Sequence, residues 1–294
     1  MRLRQWTLPL LCLCLFLGAC SRLDVGYRNL DKIIPWSLSD YVALDREQKG
    51  LFKPRLEEHL RWHCSTQLPS YSSWLQRTQE LAAQSHVEPQ QFEAQFDEFR
   101  VAVDAIAEQI TPTSIELLQT LSDKQVDELQ ARFAKERQEM TADYLEIPLQ
   151  EQIDERVERM EDRLQPWFGK LSPLQQARVE LWSRNLGEQN RAWLDNRWHW
   201  RDQFIAALRA RNEASFPTRI TQLLQQRHEL WTPAYRQQFD NAQTQLAMLF
   251  ADLINNADAA QRDKLQASLG GLRKNIAELA CAKPAAPAVA SRLE

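Results

Sequence analysis

The chain has 294 residues, carries 36 Lys and Arg against 40 Asp and Glu, and has a formal net charge of −4. An acidic balance of this kind argues against nucleic acid as a partner and against charge-driven docking on anionic lipid. Seven glycines in the whole chain, against a usual share of about 7%, leave few sites for tight phosphate-cradling loops, while abundant Gln, Glu, Leu, Ala and Arg favour long helices.

Arg2 and Arg4 precede an apolar run from Trp6 to Ala19. The run is shorter than the roughly 20 apolar residues a membrane-spanning helix needs. A basic start, a short apolar stretch and small residues before a break make residues 1–19 a secretory signal. Its end, Leu17-Gly18-Ala19-Cys20, resembles the lipobox of bacterial lipoproteins. The resemblance implies a diacylglyceryl group on the Cys20 thiol, cleavage before that residue and acylation of the new amine. The alternative is an ordinary signal with a chance cysteine. Each buried methylene contributes roughly 0.8 kcal/mol, and anchorage becomes stable with more than one acyl chain, so a lipidated Cys20 would hold the protein on a membrane. Ser21, by the same resemblance, implies sorting to the outer membrane. Cleavage removes Arg2 and Arg4 and no acid, which takes the net charge from −4 to −6. No second long apolar segment follows, so the body is expected in the periplasm.

Residues 20–40 form the lipidated N-terminus and a lead-in. Tyr27, Leu30, Ile33, Ile34, Trp36 and Leu38 make it apolar for a linker, with Pro35 as an interruption. It is expected to pack on the body or lie near the membrane surface.

A five-residue pattern then recurs. Leu44-Asp45-Arg46-Glu47-Gln48, Leu121-Ser122-Asp123-Lys124-Gln125 and Leu171-Ser172-Pro173-Leu174-Gln175 each place a capping residue three positions before Gln. Val87-Glu88-Pro89-Gln90-Gln91 and Ala257-Asp258-Ala259-Ala260-Gln261 are looser copies. Ser or Asp accepts from an early helix amide, Gln reaches back to the cap, and the preceding apolar residue staples the turn. Pro suits the first helical position. Each copy predicts a helix start.

Amphipathic stripes follow these starts. Val126, Leu129, Phe133, Met140, Tyr144 and Ile147 form one, ended or bent by Pro148. Ile153, Val157, Met160, Leu164 and Trp167 continue to Gly169. Val179, Trp182, Leu186 and Trp193 lead to Trp200, Phe204 and Leu208, and Pro217 breaks the next junction. Tyr235, Phe239, Leu246, Leu249, Phe250 and Leu253 form another face. Leu265, Leu269, Leu272, Ile276 and Leu279 form the last, with Gly270-Gly271 as a weak point. The spacing between starts is unequal, which argues against a fixed-period solenoid. Residues 282–294 are Ala/Pro-rich and read as a disordered tail.

Of five cysteines, Cys12 and Cys14 leave with the signal and Cys20 takes lipid. Cys64 and Cys281 remain in an oxidising compartment, where they form either a disulfide between the first and last helical segments or two separate buried thiols.

The recurring pattern resembles the LTxxQ motif of small periplasmic proteins, the Spy/CpxP-like family of chaperones, stress modulators and some metal-responsive relatives. Ser or Asp often stands where that motif has Thr. Further residues, Cys20-Ser21-Arg22-Leu23-Asp24, Tyr27-Arg28-Asn29-Leu30-Asp31, Ile34-Pro35-Trp36, Tyr41-Val42-Ala43-Leu44-Asp45 and Asn190 to Arg197, resemble a Gram-negative lipoprotein family with no assigned activity. That likeness implies the address and the helical fold, and no reaction.

Candidate sites are few. His59 and His63 stand at i and i+4 on one helix face, with Cys64 adjacent; zinc could use such a pair, but a structural site needs four ligands. The alternative is polar surface histidines beside a core tryptophan. His228-Glu229-Leu230-Trp231-Thr232 begins like a zinc-protease helix, but its fifth residue is Thr. No nucleophile elbow, P-loop or dinucleotide fingerprint is present. Arg191, Trp193, Asn196, Arg197, Trp198 and Trp200 form the densest cluster. Trp193, Arg197 and Trp200 share a face, either as a binding surface or as an arginine lying across a Trp-rich core.

The sequence therefore predicts an all-α protein: one elongated or curved bundle of about seven to nine helices, without a sheet, over residues 41–281. No cofactor, metal or catalytic set is expected. The function expected is non-catalytic polypeptide binding by an envelope lipoprotein, chaperone-like or stress-related, with its lipid in the membrane and other envelope polypeptides as partners. The alternatives are an assembly lipoprotein for one envelope partner and a metal-responsive protein.

Overall fold

The computed structural model describes residues 25–279. The signal with Leu17, Gly18 and Ala19, then Cys20, Cys281 and the tail all lie outside these residues. Among the described residues there is no strand. Eleven α-helices follow one another: α1 Leu30–Ser39, α2 Arg46–Trp62, α3 Leu68–Ala82, α4 Pro89–Gln119, α5 Asp123–Tyr144, α6 Leu149–Phe168, α7 Pro173–Asn185, α8 Gln189–Arg209, α9 Phe216–Gln225, α10 Pro233–Asn255 and α11 Ala259–Glu278.

Eleven exceeds the seven to nine expected from sequence. One addition is α1, which forms in the lead-in with Pro35 inside it. Pro35 removes one hydrogen-bond donor without stopping the helix, which lies along α2. Another is the division of α2 from α3 by a π-helical turn, His63–Gln67. That turn itself contains neither Gly nor Pro, and the one boundary signal beside it is Pro69 in the first turn of α3. Gly270 and Gly271 are no weak point: α11 runs through both.

All five recurring patterns are helix starts, with Asp45, Glu88, Ser122, Ser172 and Asp258 at the caps. Four of their glutamines do more than close their own helix. Gln48 and Gln125 exchange amide hydrogen bonds at 3.1 and 2.8 Å, and their second amide protons go to the carbonyls of Thr120 and Ala43. Gln175 and Gln261 repeat the arrangement at 3.0 and 2.9 Å, donating also to Leu253 and Lys170 carbonyls. Each pair therefore joins two distant helix starts with every side-chain amide group satisfied, which is what makes burial of four glutamines tolerable.

Each pair sits in its own core. The larger core gathers Leu75, Leu81 and Phe92 with Met160, Leu164, Val179, Leu249, Leu253, Leu265 and Leu269, from α3, α4, α6, α7, α10 and α11. The smaller gathers Val42, Leu121, Val126, Leu129, Leu208, Phe216, Ile220 and Leu223, chiefly from α5, α8 and α9. Helix α4 spans both, packing on α10, α9 and α2. A third, small cluster joins Cys64, Leu68 and Leu279.

Candidate functional site

From Glu93 to Ile110, α4 has no fully buried residue. Yet Phe96, Phe99, Val101, Val103, Ile106 and Ile110 lie in that stretch. Large apolar side chains on a helix are ordinarily turned to a core, with polar residues on the opposite face. Here Phe99 is 60% and Val101 69% exposed. Open apolar surface of this kind marks sites of contact with other molecules.

Three hollows flank the stretch. The first, of 380 Å³, lies between α1, α2 and α4, walled by Leu30, Ile34, Phe52, Leu56, Leu60, Trp62, Ile106, Ile110 and Leu117, with His59, His63, Thr113 and Ser114 as its polar groups. The second, of 550 Å³, runs between α3, α4 and α11 past Tyr71, Trp74, Phe99, Val101, Ala105, Leu272 and Ile276, with Arg77 and Glu98 at its rim. The third, of 440 Å³, lies between α4, α8 and the α9–α10 turn. It is lined by Val103, Ile106, Ile110, Trp200, Leu223, Leu224, Leu230 and Trp231, with Asn196, Arg197 and Arg227 as its polar side chains.

His59 and His63 face the first hollow rather than open solvent. His59 Nε2 is 2.8 Å from Thr113 Oγ1, and its Nδ1 is 3.5 Å from Gln109 Nε2. The π-turn sets His63 between two phenols, with Nδ1 3.0 Å from the Tyr27 hydroxyl and Nε2 3.3 Å from that of Tyr71. Burial lowers both histidine pKa values. Burial, then the neighbouring Tyr71, pushes Tyr27 up to about 12. The polar wall is therefore uncharged at neutral pH. Among the described residues no three His, Cys, Asp or Glu gather as a metal site. Cys64 turns away toward Leu68 and Leu279, and is disulfide-bonded. His228 stands in a turn, with Thr232 as the cap of α10.

The Arg/Trp cluster divides. Arg197 and Trp200 line the third hollow. Trp200 donates to the Leu223 carbonyl at 2.9 Å and stacks on Phe204. Trp193 belongs to a separate small hollow with Tyr235 and Phe239, edge-on to Tyr144 at 5.7 Å. Arg191 is exposed and lines neither hollow. Arg197 is half-buried, its Nε lacks a hydrogen-bond partner, and burial together with Arg201 lowers its pKa. Arg197 thus shares the third hollow with Trp200 and Trp231, residue types that dominate protein-binding hot spots.

The arginine that lies in the aromatic core is Arg201, one turn further on. It is ion-paired with Glu136 and sits 4.4 Å from the Phe133 ring centroid and 5.4 Å from that of Trp198. Burial alone would raise the Glu136 pKa; hydrogen bonds from Arg201 and Tyr41 outweigh it and lower it. The open stretch of α4 had a signal in the sequence, since Val101, Ala102, Val103, Ala105, Ile106, Ala107 and Ile110 are too many apolar residues for one helix face.

A family model described as a family of unknown function (DUF6279) matches residues 40–236. No curated protein and no solved structure matches the chain.

Proposed function

We propose, for a chain that belongs to this family of unknown function, the role of a lipid-anchored envelope protein that binds other polypeptides along α4. The observation that carries this reading is the apolar stretch Phe99 to Ile110, left open between three hollows. The third hollow adds Arg197, Arg227, Trp200 and Trp231, residue types that dominate protein-binding hot spots. The lipid anchor rests on Leu17 to Cys20, and the outer membrane on Ser21. The anchor is compatible with the described helices, none of which is long and apolar enough to cross a membrane.

The test uses the mature chain with Cys20→Ser and follows light scattering of an unrelated unfolding protein at near-equal molar ratio. Suppression is expected, and the double variant Phe99→Ser, Val101→Glu should weaken it. Both side chains are exposed, so circular dichroism should show the variant folded. Absence of suppression by the folded parent chain would refute general polypeptide binding, and cross-linking in cells would then look for one dedicated partner. Separately, Cys20→Ser should move the protein from the membrane to the soluble fraction; a variant that stays in the membrane contradicts the anchor.

A further inference from the structure

A second patch of open apolar surface lies at the other end of the chain's course. Trp36 is 68%, Val25 59% and Ile33 42% exposed. Ile33 and Trp36 are three residues apart on α1 and share a face. Leu30 and Ile34, on the adjoining side of the helix, line the hollow between α1, α2 and α4, and α1 packs on α2. Just before α1, Tyr27 is fastened to His63 by a 3.0 Å hydrogen bond and packs beside Cys64 and Leu68. The helix is thus fixed to the body from within, and Ile33 and Trp36 are held outward. Tryptophan has an apolar ring with one polar tip, which suits a boundary between water and hydrocarbon.

The length of chain before the patch identifies what covers it. Cys20 precedes Val25 by five residues, a reach of at most about 18 Å when fully extended. A lipid on Cys20 therefore keeps Val25 close to the bilayer whatever the path between them. The rest of the molecule has an acidic balance and gives no electrostatic attraction to anionic lipid, so apolar contact is what remains to orient it. We propose that α1 lies on the bilayer surface in which the Cys20 acyl chains insert, with Ile33 and Trp36 at the level of the headgroups and the body standing above them. The inference rests on the lipid-anchor reading. It adds that the anchor is a rigid foot rather than a leash, and that the grooves beside α4 are held at a fixed orientation to the membrane.

The test reconstitutes the full lipidated protein into phosphatidylcholine vesicles made with or without dibrominated acyl chains, and compares it with Trp36→Phe. Trp36 is exposed, so the variant is expected to fold. Bromine quenches only tryptophans at membrane depth. The parent protein should lose part of its emission in brominated vesicles, and Trp36→Phe should lose none. Mass spectrometry of the N-terminal peptide and co-flotation establish that the protein is lipidated and bound. Bound, lipidated protein whose emission is unquenched, or equally quenched in both forms, overturns the foot and leaves the anchor standing. A sedimenting dimer in detergent together with unquenched emission would give the face to a second copy, which also overturns it. An N-terminal peptide without lipid overturns the anchor, and the foot with it.

Discussion

Gln175 is fully buried, and each polar atom of its amide has a partner: Ser172 on its own helix, the Leu253 carbonyl, and Gln261. Truncation to Ala takes a donor from the Leu253 carbonyl, both partners from the Gln261 amide facing it, and the acceptor from the Ser172 N–H. Each orphaned buried group costs about 1–3 kcal/mol. Gln175→Ala is therefore expected to lower the unfolding free energy by about 3 kcal/mol, read as a shift of the urea midpoint at constant slope. In a double-mutant cycle with Gln261→Ala, the two losses should add to less than their sum; simple additivity would mean that the pair is not coupled. His59 and His63 give a second prediction. Burial holds both below the ordinary imidazole value. As pH falls through about 6.5 the unfolded chain takes up protons that the folded chain does not. The contribution of these residues is thus complete above that pH and declines below it. The double variant His59→Gln, His63→Gln should show a flatter dependence of the urea midpoint between about pH 7 and 5; an unchanged slope would assign that dependence to other groups. At this scale the caps were legible because the cap and Gln stand three residues apart. Their pairing was not, because the partners stand 77 and 86 residues apart. Arg156 was also hidden. It occupies the same apolar face as Ile153 and Met160, yet donates to Ser183 and to the carbonyls of Ser183 and Gly187 at the end of α7. Spacing alone cannot say that a charged side chain on an apolar face caps another helix.

Helix α11 lies along α3, and its glycines separate two uses of the same residue. Gly271 has nothing within 4 Å of where a Cβ would sit, whereas Gly270 would place one 3.3 Å from Gln79 Nε2. Gln79 and Gln266 exchange side chain-to-carbonyl hydrogen bonds across this contact, at 3.2 and 3.0 Å. A mid-helix Gly costs roughly 0.5–1 kcal/mol relative to Ala. Gly271→Ala should therefore raise thermal stability by that amount, as should Gly50→Ala in α2, which is equally open. Gly270→Ala should gain less or lose, since Gln79 must move. Equal gains at both α11 positions would show that the α3 contact yields freely. Boundaries were legible where a chemical signal stands at them: the five caps, Pro148 before α6, and Gly169, whose φ of 75° ends α6. They were not legible where the signal is a lone Pro69 behind a π-turn, or where a helix runs through its proline, as in α1. The openness of α4 likewise depends on which neighbours fail to cover it, which periodicity does not report.

At the scale of the whole molecule, the last helices close what the first ones begin. Helix α11 supplies Leu265 and Leu269 to the larger core and Gln261 to its buried pair, while α10 supplies Leu249, Ala251 and Leu253. A chain cut after Arg236 would leave α3 and α7 bare, and is expected to lose cooperative unfolding; a truncated chain with a sharp thermal transition would show the smaller core to be self-sufficient. The all-helical class was readable from composition and caps. The division into two cores was not, because it arises from contacts between helices far apart in sequence. Cys64 is disulfide-bonded, and Leu279, two residues before Cys281, packs against it. Cys281 follows Leu279 at a reach of at most about 7 Å, which is long enough to bring it to the roughly 4.4–6.8 Å that a disulfide requires between Cα atoms. Peptide mapping without reductant is therefore expected to find Cys64 joined to Cys281. Closing so long a loop could stabilise the fold by up to about 5 kcal/mol on the chain-entropy account, so Cys281→Ser should lower the urea midpoint. The competing partner is Cys20. A Cys20–Cys64 peptide would leave no thiol on Cys20 for a diacylglyceryl group, so the same map that places the bridge also decides whether the N-terminus can carry its lipid.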